Sequence, residues 1–368
     1  MAARAITIRY PGRGVASRFV VEPGGLDRLG ASLRAFRGRR AIVVSEPRVA
    51  ALYSGRALAS LARGGIEAAL VCVPNGERAK TARHLGRLWD EFARCGLGRT
   101  GVVIALGGGA VGDLAGFAAA TWLRGVEWVV VPTSLLAQVD SSVGGKTALD
   151  LVAGKNLAGA FHQPAAVIAD PTVLATLPSR HLRAGLAEVV KMGMAVDAGL
   201  FRIVERDAAA LLARDPAALA EAVERSVRAK ARITRGDERE REGGARTALN
   251  LGHTLGHALE ASLGYRGLLH GEAVAIGLRV AARLSVECAG LATSARARQD
   301  ALLDRLGLPE RVPGLSIATL VDAMRHDKKG RNGKIRWVLT PRIGHASVPR
   351  LIPSRRVEAA LLDAGARR

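Results

Sequence analysis

"TGVVIALGGGAVGDLAGFAA", residues 100–119, reads as a buried strand, a three-glycine turn and the start of a helix. An unbroken apolar run bounded by a turn signal suits a strand covered on both faces, as in a parallel sheet. The glycines let the backbone approach an anion closely, and the unpaired N–H groups and dipole of the following helix favour a pyrophosphate. The spacing departs from G-x-G-x-x-G, so the loop alone is a weak nucleotide signal and is also readable as a tight structural turn. Asp113, in the first helical turn, either caps the dipole or binds a ribose or nicotinamide amide. Extended to Leu123, the stretch is too interrupted by glycine to read as a membrane span.

On either side of this unit the same alternation continues. Strands are expected at 40–45, 67–74, 126–134 and 165–171, with helices near 47–63 and 80–95, and "MAARAITIRYPGRG" reads as a first strand rather than a signal peptide. Such alternation indicates a parallel sheet with crossover helices. Beyond Pro178 the pattern becomes amphipathic helix: 181–195, 197–213, 216–235, 247–263, 271–290 and 294–306. A late strand-like pair within 334–348 precedes a last short helix. The expected architecture is an α/β Rossmann-like parallel-sheet domain over 1–177, followed by an all-α domain over 178–368.

The 368 residues are 49% hydrophobic with dispersed charge, which fits a globular, enzyme-sized chain. A net charge of +21 raises nucleic-acid binding as a possibility, but the basic residues are spread along the chain and aromatics make up only 4%. Neither a nucleic acid nor a membrane is expected as partner. Three scattered cysteines make neither a disulfide framework nor a thiolate metal site, so a reducing, cytoplasmic compartment is expected.

Of the 54 basic residues, 46 are arginine. Against that bias a lysine marks a place where a compact ammonium fits and a planar guanidinium does not. The lysines are Lys80, Lys146, Lys155, Lys191, Lys230, Lys328, Lys329 and Lys334. Among them, "PNGERAK" (74–80) puts Glu77 and Lys80 after a strand end, where open α/β sheets bind ligands. In "LNLGHTLGHALE" (249–260), His253 and His257 stand four apart on one helical face. Spacing alone proposes a pair of metal ligands and leaves open one ligand beside a histidine of another role.

Seven strings, in one order, carry a resemblance: "GGGAVGDLAGFAAATWLRG" (107–125), "PTSLLAQVDSSVGGKT" (132–147), "GKNLAGAFHQP" (154–164), "LRAGLAEVVKMG" (182–193), "LNLGHTLGHALE", "HGEAVAIG" (270–277) and "DKKGRNGKIRWVL" (327–339). Over about residues 40–345 the chain resembles the 3-dehydroquinate synthases. The resemblance implies an enzyme with a site between an NAD-binding domain and a helical, metal-bearing domain. It would turn 3-deoxy-D-arabino-heptulosonate 7-phosphate, a phosphorylated sugar acid, into 3-dehydroquinate and phosphate. NAD+ would be reduced and regenerated within each turnover, with Zn2+ or Co2+ as the divalent metal.

Residue by residue, the resemblance makes Glu188, His253 and His270 the metal ligands and puts His257 beside them, within reach of the bound substrate. Lys146, Lys155, Asn156 and Lys191 would meet the substrate's phosphate, carboxylate and hydroxyls, with Asp140 nearby and Arg246 and Asn250 extending the lining. Lys230, Glu242, Lys328 and Lys329 match further polar positions, and Arg124 matches an arginine supplied by a neighbouring subunit, which implies a homodimer. For the nucleotide, Glu46, Glu77, Lys80, Gly108, Gly109, Gly112, Asp113, Thr133 and Ser134 fall at matching strand ends. The chain departs from the family at His162, Ser134 and Glu46, where tyrosine, threonine and aspartate are usual, and in a segment over 229–246 two residues longer. The rivals are sister cyclases making aminodehydroquinate, 2-deoxy-scyllo-inosose or valiolone, and a metal-dependent polyol or glycerol dehydrogenase. Asn250 before His253 and the paired "DKK" favour dehydroquinate synthesis.

Overall fold

β-Branched runs make the centre of the first unit. Ile42, Val43 and Val44, Val102 to Ile104 and Val129 are wholly excluded from solvent, as strands covered on both faces require. The structure, a computed structural model, describes residues 3–10, 16–237, 244–326 and 334–368. The chain divides into two units, one of Met1–Leu177 with Leu219–Arg239 and one of Pro178–Ala218 with Glu240–Arg368.

In the first unit the chain runs β1 (Arg4–Arg9), β2 (Ala16–Val21), α1 (Leu29–Ser32), β3 (Arg40–Ser45), α2 (Pro47–Arg63), β4 (Glu67–Cys72), α3 (Ala82–Arg94), β5 (Val102–Gly107), α4 (Gly109–Thr121), β6 (Glu127–Pro132), β7 (Lys146–Leu151), β8 (Gly154–Phe161) and β9 (Ala166–Ala169). Seven strands form one sheet in the order β1-β2-β9-β6-β5-β3-β4, with every pairing parallel except β1 with β2. From β3 the chain steps one way to β4 and the other way to β5, so the C-terminal ends of β3 and β5 flank the topological switch point where such sheets bind ligands. Beside the sheet, β7 and β8 form an antiparallel hairpin of their own. The alternation of strand and helix foretold the main sheet. It did not foretell this hairpin, whose glycines and polar residues blur a period-2 pattern, nor β2.

After the break follow α5 (Ser179–Ala195), α6 (Ala198–Leu212), α7 (Pro216–Gly236), α8 (His253–Ser262), α9 (His270–Ala289), α10 (Thr293–Arg305), α11 (Ile317–His326), β10 (Arg336–Trp337), β11 (Arg350–Leu351) and α12 (Ser354–Asp363). Most of α7 belongs to the first unit, where Glu224 pairs with Arg4 of β1 at 2.7 Å. The helix expected over 247–263 is interrupted: residues 245–250 form a 3-10 turn, and Gly252 at φ +79° lets α8 begin at His253. The strand pair expected within 334–348 is smaller than the pattern suggested, since β10 pairs with β11 over two residues and only one bridge, Arg342 with His345, lies inside that span.

Two glycines let α9 approach its neighbours closely. A Cβ at Gly271 would stand 1.9 Å from the Ala184 carbonyl oxygen of α5, and one at Gly277 would stand 1.9 Å from the carbonyl oxygen of Gly252. Each contact lies one residue from a histidine of interest, His270 or His253. The start of α9 is fixed independently: Glu272 accepts from the Leu269 N–H at 2.7 Å and pairs with Arg180.

Candidate functional site

At the switch point of the first unit, α4 starts at Gly109 behind Gly108, with no side-chain cap on its free N–H groups. Around Gly112 nothing lies within 4 Å of where a Cβ would be, so the backbone there is open to a close ligand. Ser134 and the buried Thr133 follow the end of β6, and Thr133 donates to the Gly107 carbonyl at 2.9 Å. After β3, Glu46 accepts from the Gly76 N–H at 2.9 Å and so ties two strand-end loops together.

Lys80 organises the next layer. Its side chain is 2% exposed, with the ammonium 2.9 Å from Asp113, 3.4 Å from Asp150 and 3.6 Å from Glu77, and it donates to the Asn156 side-chain carbonyl. A buried ammonium costs several kcal/mol unless paired, and here the carboxylates hold it charged. Burial would lower the Lys80 pKa, but Asp113 and Glu77 raise it overall. Burial also pushes the Asp113 carboxyl up, against the pull of Lys80. Lys155 reaches Glu77 at 4.0 Å.

On the same unit Asp140 lies in a π-helical turn, Ala137–Ser141, in which the Ser142 N–H donates to the Ala137 carbonyl at 3.3 Å. Such turns recur at functional sites. Lys230 on α7 donates at 2.7 Å to both the carboxylate and the backbone carbonyl of Asp140. Lys146 opens β7 with its residue exposed. Arg124, also exposed, sits between Leu123 and Gly125 in a run of positive φ of 49°, 71° and 120°, a costly backbone that projects the arginine outward. His162 stacks on Trp128 and its Nε2 meets the Val126 carbonyl at 2.8 Å, which is packing rather than chemistry.

The second unit holds the histidines. From Ala184 to Ala195 every residue of α5 is buried, and the run includes the ion pair of Glu188 with Lys191, three apart on one face. Two ionised groups in an apolar helix are expensive, so their presence calls for a partner. Glu188 Oε1 faces His253 Nε2 at 3.6 Å and His270 Nε2 at 3.5 Å, and neither Glu188 oxygen has a hydrogen bond of good geometry. A tetrahedral ion with ligands at about 2.0–2.1 Å separates its donors by about 3.3–3.4 Å, close to this triangle. Donor set and orphaned oxygens thus fit a divalent ion. Burial would raise the Glu188 pKa, but Lys191 and the two imidazoles hold it well below the usual range. Burial and Lys191 keep His253 neutral, as a ligand must be.

The far nitrogens are also engaged. His253 Nδ1 lies 3.2 Å from the Leu251 carbonyl, and His270 Nδ1 lies 2.9 Å from Glu260. Burial lowers the His270 pKa, but the nearby Glu188 and Glu260 carboxylates outweigh it and push it up to about 10, so an ion that takes His270 as a ligand would displace that proton. His257, on α8 with Glu260, has its ring centre 5.2 Å from that of His253. His257, Glu260 and His270 form a second grouping with ligand-like spacing, sharing His270 with the first. A carboxylate on the far nitrogen of a ligand fixes its tautomer and raises its basicity. Glu260→Gln is therefore expected to weaken zinc binding about 10–100-fold, read by competition with a chromogenic chelator.

Two family models meet end to end on the chain, the 3-dehydroquinate synthase N-terminal model over residues 70–184 and the C-terminal model over 185–330. The chain belongs to the 3-dehydroquinate synthase family. It is 47% identical over 334 residues to the 3-dehydroquinate synthase of Pelobacter propionicus, covering 90% of this chain and 92% of that one. Among solved structures, the 2-epi-5-epi-valiolone synthase of Streptomyces hygroscopicus, with NAD+ and Zn2+ bound, matches with a TM-score of 0.86 at 29% identity over 99% of each chain. A 2-deoxy-scyllo-inosose synthase complexed with carbaglucose-6-phosphate, NAD+ and Co2+ matches with a TM-score of 0.88 at 24% identity, over 98% of this chain and all of that one, which bears on the fold.

Among dehydroquinate synthase positions chosen from sequence, Glu77, Lys80, Asp113, Lys155 and Asn156 come together on the first unit. Glu188, Lys191, His253, His257 and His270 come together on the second. Arg246 is 3% exposed and Asn250 half-buried, both in the 3-10 turn that packs on α5. Glu242, Lys328 and Lys329 lie outside the described residues. Sequence reasoning assigned nothing to Glu260, although seven residues from His253 it shares that helical face, and it passed over Asp150, which stands outside every quoted string.

Proposed function

We propose that this enzyme converts 3-deoxy-D-arabino-heptulosonate 7-phosphate to 3-dehydroquinate and phosphate, a carbon–oxygen lyase reaction that also closes the carbocycle. The observation that carries the reading is the Glu188–His253–His270 triangle with the Lys191 ammonium closed on Glu188. Identity of 47% to a dehydroquinate synthase, against 29% to the valiolone synthase, favours this branch over its sisters.

When bound, NAD+ takes up and returns a hydride, and the divalent ion, zinc or cobalt, polarises the substrate's hydroxyls. Glu188, His253 and His270 would hold that ion, and Gly108, Gly109, Gly112, Asp113, Thr133 and Ser134 would hold the nucleotide with Glu46, Glu77 and Lys80. Lys146, Lys155, Asn156 and Lys191 bind the anionic and hydroxyl groups of the sugar phosphate, helped by Arg246 and Asn250. His257 holds or moves a proton at its ring nitrogen beside the triangle, and Lys230 holds Asp140 in place. Fixed charges of this kind stabilise a departing phosphate without reorganising. The outward-strained Arg124 supports a homodimer in which each copy lends this arginine to the other. Among the described residues no helix is long and apolar enough to cross a membrane.

Purified enzyme with zinc or cobalt, substrate in large excess and a trace of NAD+ tests the assignment. One phosphate per substrate, a product of dehydroquinate mass and no net NADH absorbance are expected. Steady NADH accumulation would make it a dehydrogenase.

A further inference from the structure

Asp150 joins the nucleotide and substrate sides of the first unit. It lies where the β7–β8 ladder slips: Leu149 pairs with Ala158, but Leu151 already pairs with Gly154. Its backbone N–H donates to the Lys80 carbonyl at 2.9 Å, and its Oδ1 stands 3.4 Å from the Lys80 ammonium. That same oxygen accepts from the Asn156 N–H at 2.9 Å. Asn156 has φ +57°, a left-handed conformation that a non-glycine residue keeps only when its surroundings enforce it. In turn its side-chain carbonyl accepts from Lys80. One residue therefore touches the lysine twice, by its backbone N–H and by its carboxylate, and the same carboxylate fixes the backbone of the asparagine. Burial would raise the Asp150 pKa, but a proton donated by the Glu77 carboxyl, the Asn156 N–H and Lys80 lower it overall, while burial and that same contact push Glu77 up.

We infer that Asp150 is a positioning residue, which holds Lys80 for the nucleotide through its charge and Asn156 for the sugar phosphate through its acceptor oxygen. The inference rests on the ligand roles proposed above for Lys80 and Asn156. It separates the two jobs of one side chain, and an isosteric change tells them apart. Asparagine keeps an oxygen to accept from the Asn156 N–H but carries no charge for Lys80, whereas alanine loses both.

The experiment compares Asp150→Asn and Asp150→Ala in metal-loaded full-length enzyme, by NAD+ titration calorimetry and by steady-state kinetics in the sugar phosphate. Both variants are expected to bind NAD+ about tenfold more weakly, the size of one charged hydrogen bond. The KM for the sugar phosphate should rise about tenfold in Asp150→Ala and stay within about twofold of wild type in Asp150→Asn, with metal content full in both. A merely structural aspartate would not divide the two readouts in this way. The inference is overturned if Asp150→Ala leaves both quantities unchanged, or if Asp150→Asn raises KM as much as alanine does. Should alanine fail to fold, Asp150→Asn alone still decides, because weaker NAD+ binding with unchanged KM is the expected pattern and any other result contradicts it. Lys80→Met tests the underlying assignment separately. If it binds NAD+ normally, the nucleotide role of Lys80 has failed and Asp150 is judged on KM alone.

Discussion

His253→Ala is expected to purify without zinc or cobalt and to lose turnover, while His257→Ala keeps most of the metal and still loses turnover. The difference follows from where each ring nitrogen points. His253 Nδ1 is engaged by the Leu251 carbonyl, leaving Nε2 facing Glu188 Oε1, which His270 Nε2 also faces. Removing His253 leaves two of three protein donors, whereas removing a neighbour of a ligand lowers metal affinity by only about 10–100-fold. Elemental analysis after dialysis against a weak chelator reads the first quantity and phosphate release the second. Equal metal loss in both variants would overturn the distinction, and metal lost from His257→Ala but kept in His253→Ala would move the ion to the grouping of His257, Glu260 and His270.

Lys191→Arg should be nearly as damaging as Lys191→Ala. The ammonium is 2% exposed, sits within an unbroken buried stretch of α5 and closes on Glu188, so a planar, bulkier guanidinium has no room there. Losing a preorganised cation beside a departing anion costs about 2–4 kcal/mol in the transition state, by analogy with lost oxyanion donors. Alanine also leaves Glu188 short of countercharge, a loss of about 3–5 kcal/mol in the metal-free protein, visible as a lower thermal midpoint. The exposed Lys334 should accept arginine with little change. Wild-type kinetics in Lys191→Arg would show that the compact cation is not required.

The main sheet was legible because buried β-branched runs and the glycine turn leave few other readings, and the clustering of His253, His270 and Glu188 because their strings match a known order. Spacing alone pointed elsewhere. It offered His253 with His257, because one helix is all that an i, i+4 count can see, whereas His270 and Glu188 come from two other helices. Asp150 and Glu260 escaped for a related reason: each acts through a residue distant in sequence, Lys80 and His270 respectively. The β7–β8 hairpin hid because its bulge and left-handed Asn156 break the alternation by which strands are recognised.

The return of α7 to the first unit also bears on the order of events during synthesis. The last strand of the sheet ends at Ala169, but the helix carrying Glu224 and Lys230 runs to Gly236, with α5 and α6 emerging in between. Nascent domains usually fold one after another from the N-terminus. Here the leading unit stays unfinished on the ribosome while part of its successor is already made, with Arg4 and Asp140 waiting for partners 220 and 90 residues downstream. The two units are thus bound together in time: a ribosome that stalls after the sheet releases a chain with one helix missing, a substrate for chaperones rather than a finished nucleotide-binding domain.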